Sequence, residues 1–311
     1  MKIIYGKFKE AIDMSKLVEC VPNFSEGRNK EVIESIVDEV RKTEGVKLLD
    51  YSSDKDHNRS VVTFLGGPEE VEEAAFKLIK KAAELIDMRN HQGAHPRMGA
   101  TDVVPFIPIK DVTTEECVEI SKKLGKRVGE ELKIPVYLYE DAATSEERRN
   151  LAAIRKGQYE GFFEKIKQPE WKPDFGPCEM NVKSGATVIG ARFPLIAYNV
   201  NLGTDNIEIA NAIARKIRYI GGGLRYVKAV GVKVTERNIV QVSMNLVNYE
   251  KTPIYTAQEM VRMEAKRYGV PIVGSEVIGL VPMKALIDCA EYYLQIENFS
   301  VDQVLESRLS E

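Results

Sequence analysis

The amino-acid sequence predicts an α/β (α+β) fold built from two ferredoxin-like subdomains, each with the element order β-α-β-β-α-β. Length gives the first indication, because 311 residues suggest one large or two medium domains and 44% of them are hydrophobic, enough to bury a real core. The order of elements gives the second, since strand-like and helix-like patterns alternate in the same order in both halves. A stretch rich in Pro and Gly, KQPEWKPDFGPCEMNVKSG at 167–185, separates the two halves.

The first half opens with a short strand pattern, KLVECV, and a turn, NFSEGRN, that starts a helix. Apolar residues between Val32 and Val40 recur at helical spacing, and a second such pattern predicts a helix over 69–87. The other predicted elements are the strands VKLLDY and RSVVTFLG, a strand over 102–107, a helix over 113–132, the strand IPVYLYE and a helical connection over 145–166.

The second half repeats this order, and its elements are the strand PLIAYNVNL, a helix over 206–219, the hairpin-like pair YVKAVGVKV and NIVQVSMNLVNY, a helix over 256–268, the strand VPIVGSEVI and a helix from Pro282. The two halves share no obvious sequence identity. The predicted divisions are an N-terminal extension at 1–13, a first subdomain at 14–175, a loop at 176–185, a second subdomain at 186–299 and a tail at 300–311.

Composition argues against several classes of protein. A net charge of -3 disfavours a nucleic-acid binder, which is usually basic. No apolar run approaches the ~20 residues that span a bilayer, and the N-terminus lacks a signal-peptide core, so we expect a cytoplasmic protein without a membrane partner. The cysteines form no Cys-x-x-Cys pair, which favours a reduced setting over a zinc ribbon. They are Cys20, Cys117, Cys178 and Cys289.

The stretch RNHQGAHPRMGATDVVPFIPI at 89–109 holds two of the three histidines of the chain, His91 and His95. Three interpretations fit it. A histidine before Pro can pin a turn; the spacing His-x-x-x-His can bind a metal, although Gly93 and Pro96 oppose the helix that this needs. Histidine can also carry a proton near neutral pH, and Arg97 could hold a carboxylate of the substrate.

Two strand patterns of the second half carry amide and hydroxyl side chains on one face, because strand side chains alternate. A solvated sheet face and a polar ligand groove between two sheets both fit this row. The residues of the row are Asn199, Asn201, Gln241, Ser243 and Asn245.

The sequence resembles the formiminotransferase family. Long ordered strings carry the resemblance, and it covers residues 15 to 297. In the first half these strings are LVECVPNFSEGR, HQGAHPRMGATDVVPFIPI, PVYLYEDAA and PEWKPDFGP. In the second half they are GATVIGAR, AYNVNL, QVSMNL and PIVGSEVIGLVPMKAL.

The resemblance implies two α/β subdomains with a folate cleft between them, a homodimer, and transfer of a formimino group from N-formimino-L-glutamate to N5 of tetrahydrofolate, which is a co-substrate. No metal is expected. The catalytic histidine of the family corresponds to His95, acting as general base and then acid. The folate-contacting loop corresponds to Gly176, Pro177, Cys178, Glu179, Met180, Asn181, Val182, Lys183, Ser184 and Gly185.

Donor carboxylates are assigned to Arg97 and to the turn with Asn23, Ser25 and Arg28, while His91 either binds substrate or shapes the loop. The carboxylate partner of His95 stays open among Asp50, Asp54, Asp56 and Asp102. Because the resemblance stops near Phe299, we expect a chain without the cyclodeaminase domain of some relatives, working with a separate cyclodeaminase. The alternatives are formyl transfer from N-formylglutamate or handling of 5-formyltetrahydrofolate in the same cleft, and a non-catalytic folate-binding protein.

Overall fold

The computed structural model describes residues 16–309, so the predicted extension at 1–13 lies outside the described residues, as do the last two residues of the tail. The chain divides into two compact units, Met1–Arg192 and Phe193–Glu311. This division lies later than the predicted start of the second subdomain at 186. The reason is that the strand Thr187–Ala191 pairs within the sheet of the first unit.

The first unit contains seven strands and five α-helices among its described residues, in the predicted alternation. They are β1 (Leu17–Cys20), β2 (Asn23–Phe24), α1 (Lys30–Arg41), β3 (Val46–Asp54), β4 (Arg59–Gly66), α2 (Pro68–Leu85), β5 (Thr101–Lys110), α3 (Thr114–Arg127), β6 (Val136–Glu140), α4 (Leu151–Arg155), α5 (Gln158–Lys165) and β7 (Thr187–Ala191). The sheet order is β1-β4-β2-β5-β7-β6, with β3 on the other side of β4 and β1 also paired to β5. All pairings are antiparallel except those of β7 with β5 and β6.

Local sequence explains the helix boundaries. The Asn29 side chain accepts hydrogen bonds from two backbone N–H groups at the start of α1, and Thr113 and Glu116 form a capping box at α3. The helix predicted over 113–132 continues past α3 as a π-helical turn. The helical connection predicted over 145–166 contains α4 and α5, which are separated at Gly157, where φ is 96°.

The two faces of β4 in the first sheet differ in burial. On β4, Ser60, Val62 and Phe64 have no exposed surface. Because strand side chains alternate, Arg59 and Val61 lie on the other face, and both are partly exposed. One face of β4 therefore packs into the core, and the other is accessible.

The second unit contains four strands and three α-helices among its described residues. They are β8 (Ile196–Leu202), α6 (Ile207–Ile217), β9 (Val227–Val234), β10 (Ile239–Leu246), α7 (Ile254–Arg267), β11 (Ile272–Ile278) and α8 (Met283–Leu294). The sheet is antiparallel with the order β11-β8-β10-β9. This confirms the predicted element order and the alternation on β10, where Val240, Val242 and Met244 are buried. No helix within residues 16–309 is both long and apolar enough to cross a bilayer.

Candidate active site

The histidine loop, residues 91–99, follows a short 3-10 turn and leads into β5. Asn58 fixes the start of this loop. Its side-chain amide donates to the carbonyl of Gln92 at 3.0 Å, and its own carbonyl accepts from Nε2 of His91 at 2.9 Å. Gly93 packs so closely on this turn that a Cβ there would lie 2.2 Å from the carbonyl oxygen of His57. The loop therefore has a fixed path and needs Gly at this position.

His91 has both ring nitrogens engaged. Nε2–H donates to Asn58, which leaves Nδ1 to accept from Nε of Arg97 at 3.1 Å. Burial, and to a smaller extent Arg97, lower the pKa of His91. The neutral ring therefore shapes the loop, and the His-x-x-x-His metal interpretation loses one of its two ligands.

Arg97 is buried, with 6% of its surface exposed, and its guanidinium is occupied within the protein. It forms a two-pronged contact with Glu160, with N···O distances of 2.9 and 2.6 Å, and a further hydrogen bond to the side chain of Gln158 at 3.0 Å. The fork predicted to hold a donor carboxylate thus already holds a carboxylate of α5.

His95 is partly buried on this loop. Its Nδ1 lies 2.7 Å from the carbonyl oxygen of Pro96. Because a carbonyl oxygen can only accept, Nδ1 carries the proton of the neutral ring and Nε2 carries the lone pair. The ring meets the ring of His57 edge to face, with centroids 5.8 Å apart.

The charges near His95 are two arginines and one carboxylate. Burial lowers its pKa to about 4, with Arg59 and Arg155 lowering it further, and Asp102 acts in the opposite direction. Asp102 is 1% exposed; it forms an ion pair with Arg155 and accepts from the N–H of Met98 at 2.9 Å. The group bonded to the His95 ring is therefore a backbone carbonyl, and Asp102 acts on the ring through its charge.

The turn with Asn23, Ser25 and Arg28 bonds to backbone oxygens. The side chain of Asn23 donates to Val21 at 2.8 Å, and Nε of Arg28 donates to Lys55 at 2.8 Å. Ser25 donates through its hydroxyl to the carbonyl of Gly99 at 2.8 Å. These three side chains stabilise the turn, and Ser25 attaches it to the end of the histidine loop.

The 176–185 segment contacts the histidine loop. Its end runs beside the end of the histidine loop: Ala100 N–H donates to Ser184 at 2.8 Å, and Ala186 N–H donates to Met98 at 3.2 Å. Gly185 has a φ of 73°, and a Cβ on it would lie 2.2 Å from the carbonyl oxygen of Met98. The structure thus brings the predicted catalytic loop and the predicted folate loop into backbone contact.

Inside the segment, Asn181 organises the turn, since its side-chain oxygen accepts from the N–H groups of Lys183 and Ser184. The Lys183 ammonium donates to the carbonyl of Glu84 at 2.6 Å. The buried hydroxyl of Ser184 makes no hydrogen bond within the described part of the chain. The exposed side chains of the segment are Cys178, Glu179, Val182 and Lys183, whereas Met180 is buried.

The polar row of the second unit is a continuous patch on one face of its sheet. Gln241 lies opposite Asn201, and Ser243 lies opposite Asn199. Asn201 and Gln241 donate to the two carboxylate oxygens of Glu276, at 3.2 and 3.1 Å. Asn245 is exposed at the end of the row, opposite Ala197.

Five residues that contact or influence the predicted site residues were not among the predicted ones: Asn58, Arg59, Arg155, Glu160 and Glu276. Asn58 lies next to His57 in a hydrophilic turn, and this position was only a weak indication of its role. The others act on residues distant in the sequence, and no spacing rule links them. Residues 16–309 contain no group of three or more His, Cys, Asp or Glu side chains arranged to hold a metal ion.

The fold and this site define a class of protein: two α/β units, with a glycine-rich histidine loop in the first. Family comparison makes this specific. Residues 17–192 match the formiminotransferase domain, N-terminal subdomain, and residues 197–309 match the formiminotransferase domain. The chain belongs to the formiminotransferase family.

Individual relatives match along almost the whole chain. The glutamate formimidoyltransferase of Streptococcus pyogenes is 57% identical, covering 95% of this chain and 99% of its own length. That of Thermoplasma acidophilum is 54% identical, covering 94% and 97%. The formimidoyltransferase-cyclodeaminase of Rattus norvegicus is 49% identical over 93% of this chain, which spans only 54% of that longer relative.

Proposed function

We propose that this protein is a glutamate formimidoyltransferase, which moves the formimino group of N-formimino-L-glutamate to N5 of tetrahydrofolate. The products are 5-formiminotetrahydrofolate and L-glutamate, so the enzyme acts in histidine degradation and one-carbon metabolism. The observation that carries the proposal is the match, along 95% and 94% of the chain, to two relatives that bear this name.

The reaction requires one proton to leave and another to arrive. N5 of tetrahydrofolate attacks the formimino carbon, which forms a new N–C bond and a tetrahedral adduct. N5 must lose its proton, and the glutamate nitrogen must gain one before its bond to the same carbon breaks. We assign both transfers to Nε2 of His95, first as general base and then as general acid.

Two features of His95 support this assignment. The hydrogen bond from Nδ1–H to Pro96 leaves Nε2 unprotonated in the neutral ring. The lowered pKa keeps the ring neutral at pH 7, so the base is available without a prior deprotonation. The hydrogen-bonded path of the histidine loop holds the ring in place for the reaction.

We further infer that the 176–185 segment contacts the folate. Its backbone contact with the histidine loop would bring a bound pterin close to His95. We also infer that both units are ferredoxin-like subdomains and that the polar row of the second unit contacts substrate. The strand orders β5-β1-β4-β3 in the first unit and β11-β8-β10-β9 in the second place equivalent elements at equivalent positions, which supports the ferredoxin-like assignment. A homodimer in the cytoplasm and a separate cyclodeaminase partner complete this proposal.

The test mixes purified protein with N-formimino-L-glutamate and tetrahydrofolate and follows free L-glutamate. We expect release that depends strictly on tetrahydrofolate. The same assay with N-formyl-L-glutamate measures the competing formyl reaction, and a faster rate with that donor would replace the proposal. Folate binding without release from either donor would leave a non-catalytic binder.

A further inference from the structure

Arg59 begins β4, on the strand face opposite the buried core residues. It lies opposite Asp54 in the ladder between β3 and β4. The turn before α1 covers its backbone: a Cβ on Gly27 would lie 2.6 Å from the Arg59 nitrogen. The backbone of Arg59 is therefore fixed, and its side chain lies on the accessible face of the sheet.

The guanidinium of Arg59 makes no hydrogen bond or ion pair to any other residue within 16–309, and its Nε is buried. Three other arginines of this unit with little exposed side-chain surface are paired: Arg97 with Glu160, Arg148 with Asp174 and Arg155 with Asp102. Burial lowers the pKa of Arg59 to about 10, since water is withdrawn and the carboxylates of Asp102 and Asp54 offset this only in part. The terminal nitrogens of this cation keep their N–H donors for an anion.

Arg59 is also close enough to His95 for its charge to lower the pKa of that ring. Of the residues first assigned to donor carboxylates, Arg97 binds Glu160 and Ser25 binds a backbone oxygen, while Arg28 is exposed and uses its Nε for the carbonyl of Lys55. Among the arginines near the His95 ring, Arg59 is thus the one with a free fork.

We propose that Arg59 binds the α-carboxylate of the amino-acid donor and so places the donor nitrogen against His95. This inference rests on the proposed function. The α-carboxylate and the nitrogen that must be protonated are attached to the same carbon, so a cation beside His95 suits this group. The carboxylates of the folate are separated from N5 by the whole aminobenzoyl unit, which makes them poorer candidates.

Binding of the anion also has a consequence for proton transfer. A carboxylate on Arg59 neutralises one of the two positive charges that disfavour protonation of His95. The ring then becomes more basic once the donor is bound, which suits a group that must first accept a proton from N5 and then deliver it.

The experiment compares wild type, Arg59→Gln and Arg59→Lys with a matched control, Arg41→Gln, which removes an arginine of α1 that pairs with Glu34 and Asp38 on the surface. For Arg59→Gln we expect the donor KM to rise about 10- to 150-fold, the loss typical of hydrogen bonds between charged groups, with the folate KM within about twofold of wild type. The donor KM of Arg59→Lys should lie between those of wild type and Arg59→Gln, because Lys keeps the positive charge but lacks the forked guanidinium.

Donor analogues identify the carboxylate. Wild type should discriminate against N-formimino-glutamic acid α-amide by a similar factor and tolerate the γ-amide better, and Arg59→Gln should lose the discrimination against the α-amide. An unchanged donor KM in Arg59→Gln, a rise confined to the folate KM, or equal use of the α-amide by wild type would overturn the inference.

Equal use of the α-amide by wild type needs no variant and would overturn the inference, and Arg59→Lys serves as the second variant if Arg59→Gln fails to fold. Absence of any transfer by wild type would refute the proposed function instead. Calorimetric binding of L-glutamate and its α-amide to the resting protein then tests Arg59 separately: equal affinity for the two would overturn the inference, and preference for L-glutamate that Arg59→Gln removes would support it.

Discussion

Nδ1 of His95 donates its hydrogen bond to the carbonyl oxygen of Pro96, the next residue in the chain, at 2.7 Å. The backbone, rather than a carboxylate, therefore sets the tautomer of this ring. Its affinity for a proton depends on burial and on the charges of Arg59, Arg155 and Asp102.

Replacing His95 by Ala should lower kcat about 10²- to 10⁴-fold, the usual contribution of a positioned acid–base group. The donor and folate KM values should change little, because the ring is assigned to proton transfer and not to binding. Steady-state kinetics measure this, with circular dichroism as the check on folding. A variant that turns over at the wild-type rate would remove His95 from the mechanism.

The pH profile should show the lowered pKa of His95. The neutral ring is the active base, so kcat/KM should fall only as the pH drops toward about 4, well below the ordinary histidine value. The profile of kcat, which reports the complex, should have its acid limb at higher pH if a bound carboxylate neutralises Arg59. An acid limb of kcat/KM near 6.5 would contradict the account of the charges.

Arg97 and Glu160 should behave as one unit. Because the guanidinium of Arg97 binds Glu160 and His91, Arg97→Ala and Glu160→Gln should both lower kcat by loosening the histidine loop. The fall in kcat of the double variant should be smaller than the two single effects combined. The donor KM distinguishes stabilisation of the loop by Arg97 from direct binding of the substrate by Arg97. A large rise in donor KM in Arg97→Ala, with Glu160→Gln unaffected, would show that Arg97 holds the substrate after all.

Breaking the buried ion pair between Asp102 and Arg155 should reduce stability. The two side chains are 1% and 13% exposed, so Asp102→Asn should lower the free energy of unfolding by about 3–5 kcal/mol, since it leaves a buried arginine unpaired. Combining it with Arg155→Gln should recover part of the loss. Glu164→Gln, which breaks an exposed pair with Lys167, is the control and should cost under ~1 kcal/mol in denaturant titrations.

Gly185 joins the 176–185 segment to the histidine loop, and Ala should not fit there. The positive φ alone costs ~1–2 kcal/mol, and the contact with the Met98 carbonyl adds to it. Gly269→Ala is a matched control, because Gly269 has a φ of 64° but no neighbour within 4 Å of a Cβ. Gly185→Ala should raise the folate KM and lower the unfolding midpoint, whereas Gly269→Ala should change only the midpoint. Equal folate KM values for the two variants would contradict the assigned contact.

The fold was largely predictable because hydrophobic periodicity carries most of the information. The pattern from Ile33 to Val40 became the buried face of α1, and the alternation along β10 became a core face and a polar face. The two units divide after Arg192 because β7 joins the first sheet through parallel pairing to distant strands. Local sequence does not encode such a partner.

The site was predictable only in part. The histidine loop could be found because scarce histidines and glycines are concentrated there. The partners of its side chains could not: Glu160 lies 63 residues from Arg97. Reasoning from residue type assigned Arg97 to substrate binding, whereas Arg97 binds Glu160 and the Arg59 guanidinium has no hydrogen-bond partner within residues 16–309.

The most direct test of the central claim is the single-turnover release of L-glutamate from N-formimino-L-glutamate and tetrahydrofolate by wild type and His95→Ala, with and without added imidazole. The account predicts rapid release by wild type, strict dependence on tetrahydrofolate, slow release by the variant and partial recovery with imidazole, which can replace the missing base. Equal release by both proteins, or release without tetrahydrofolate, would contradict it.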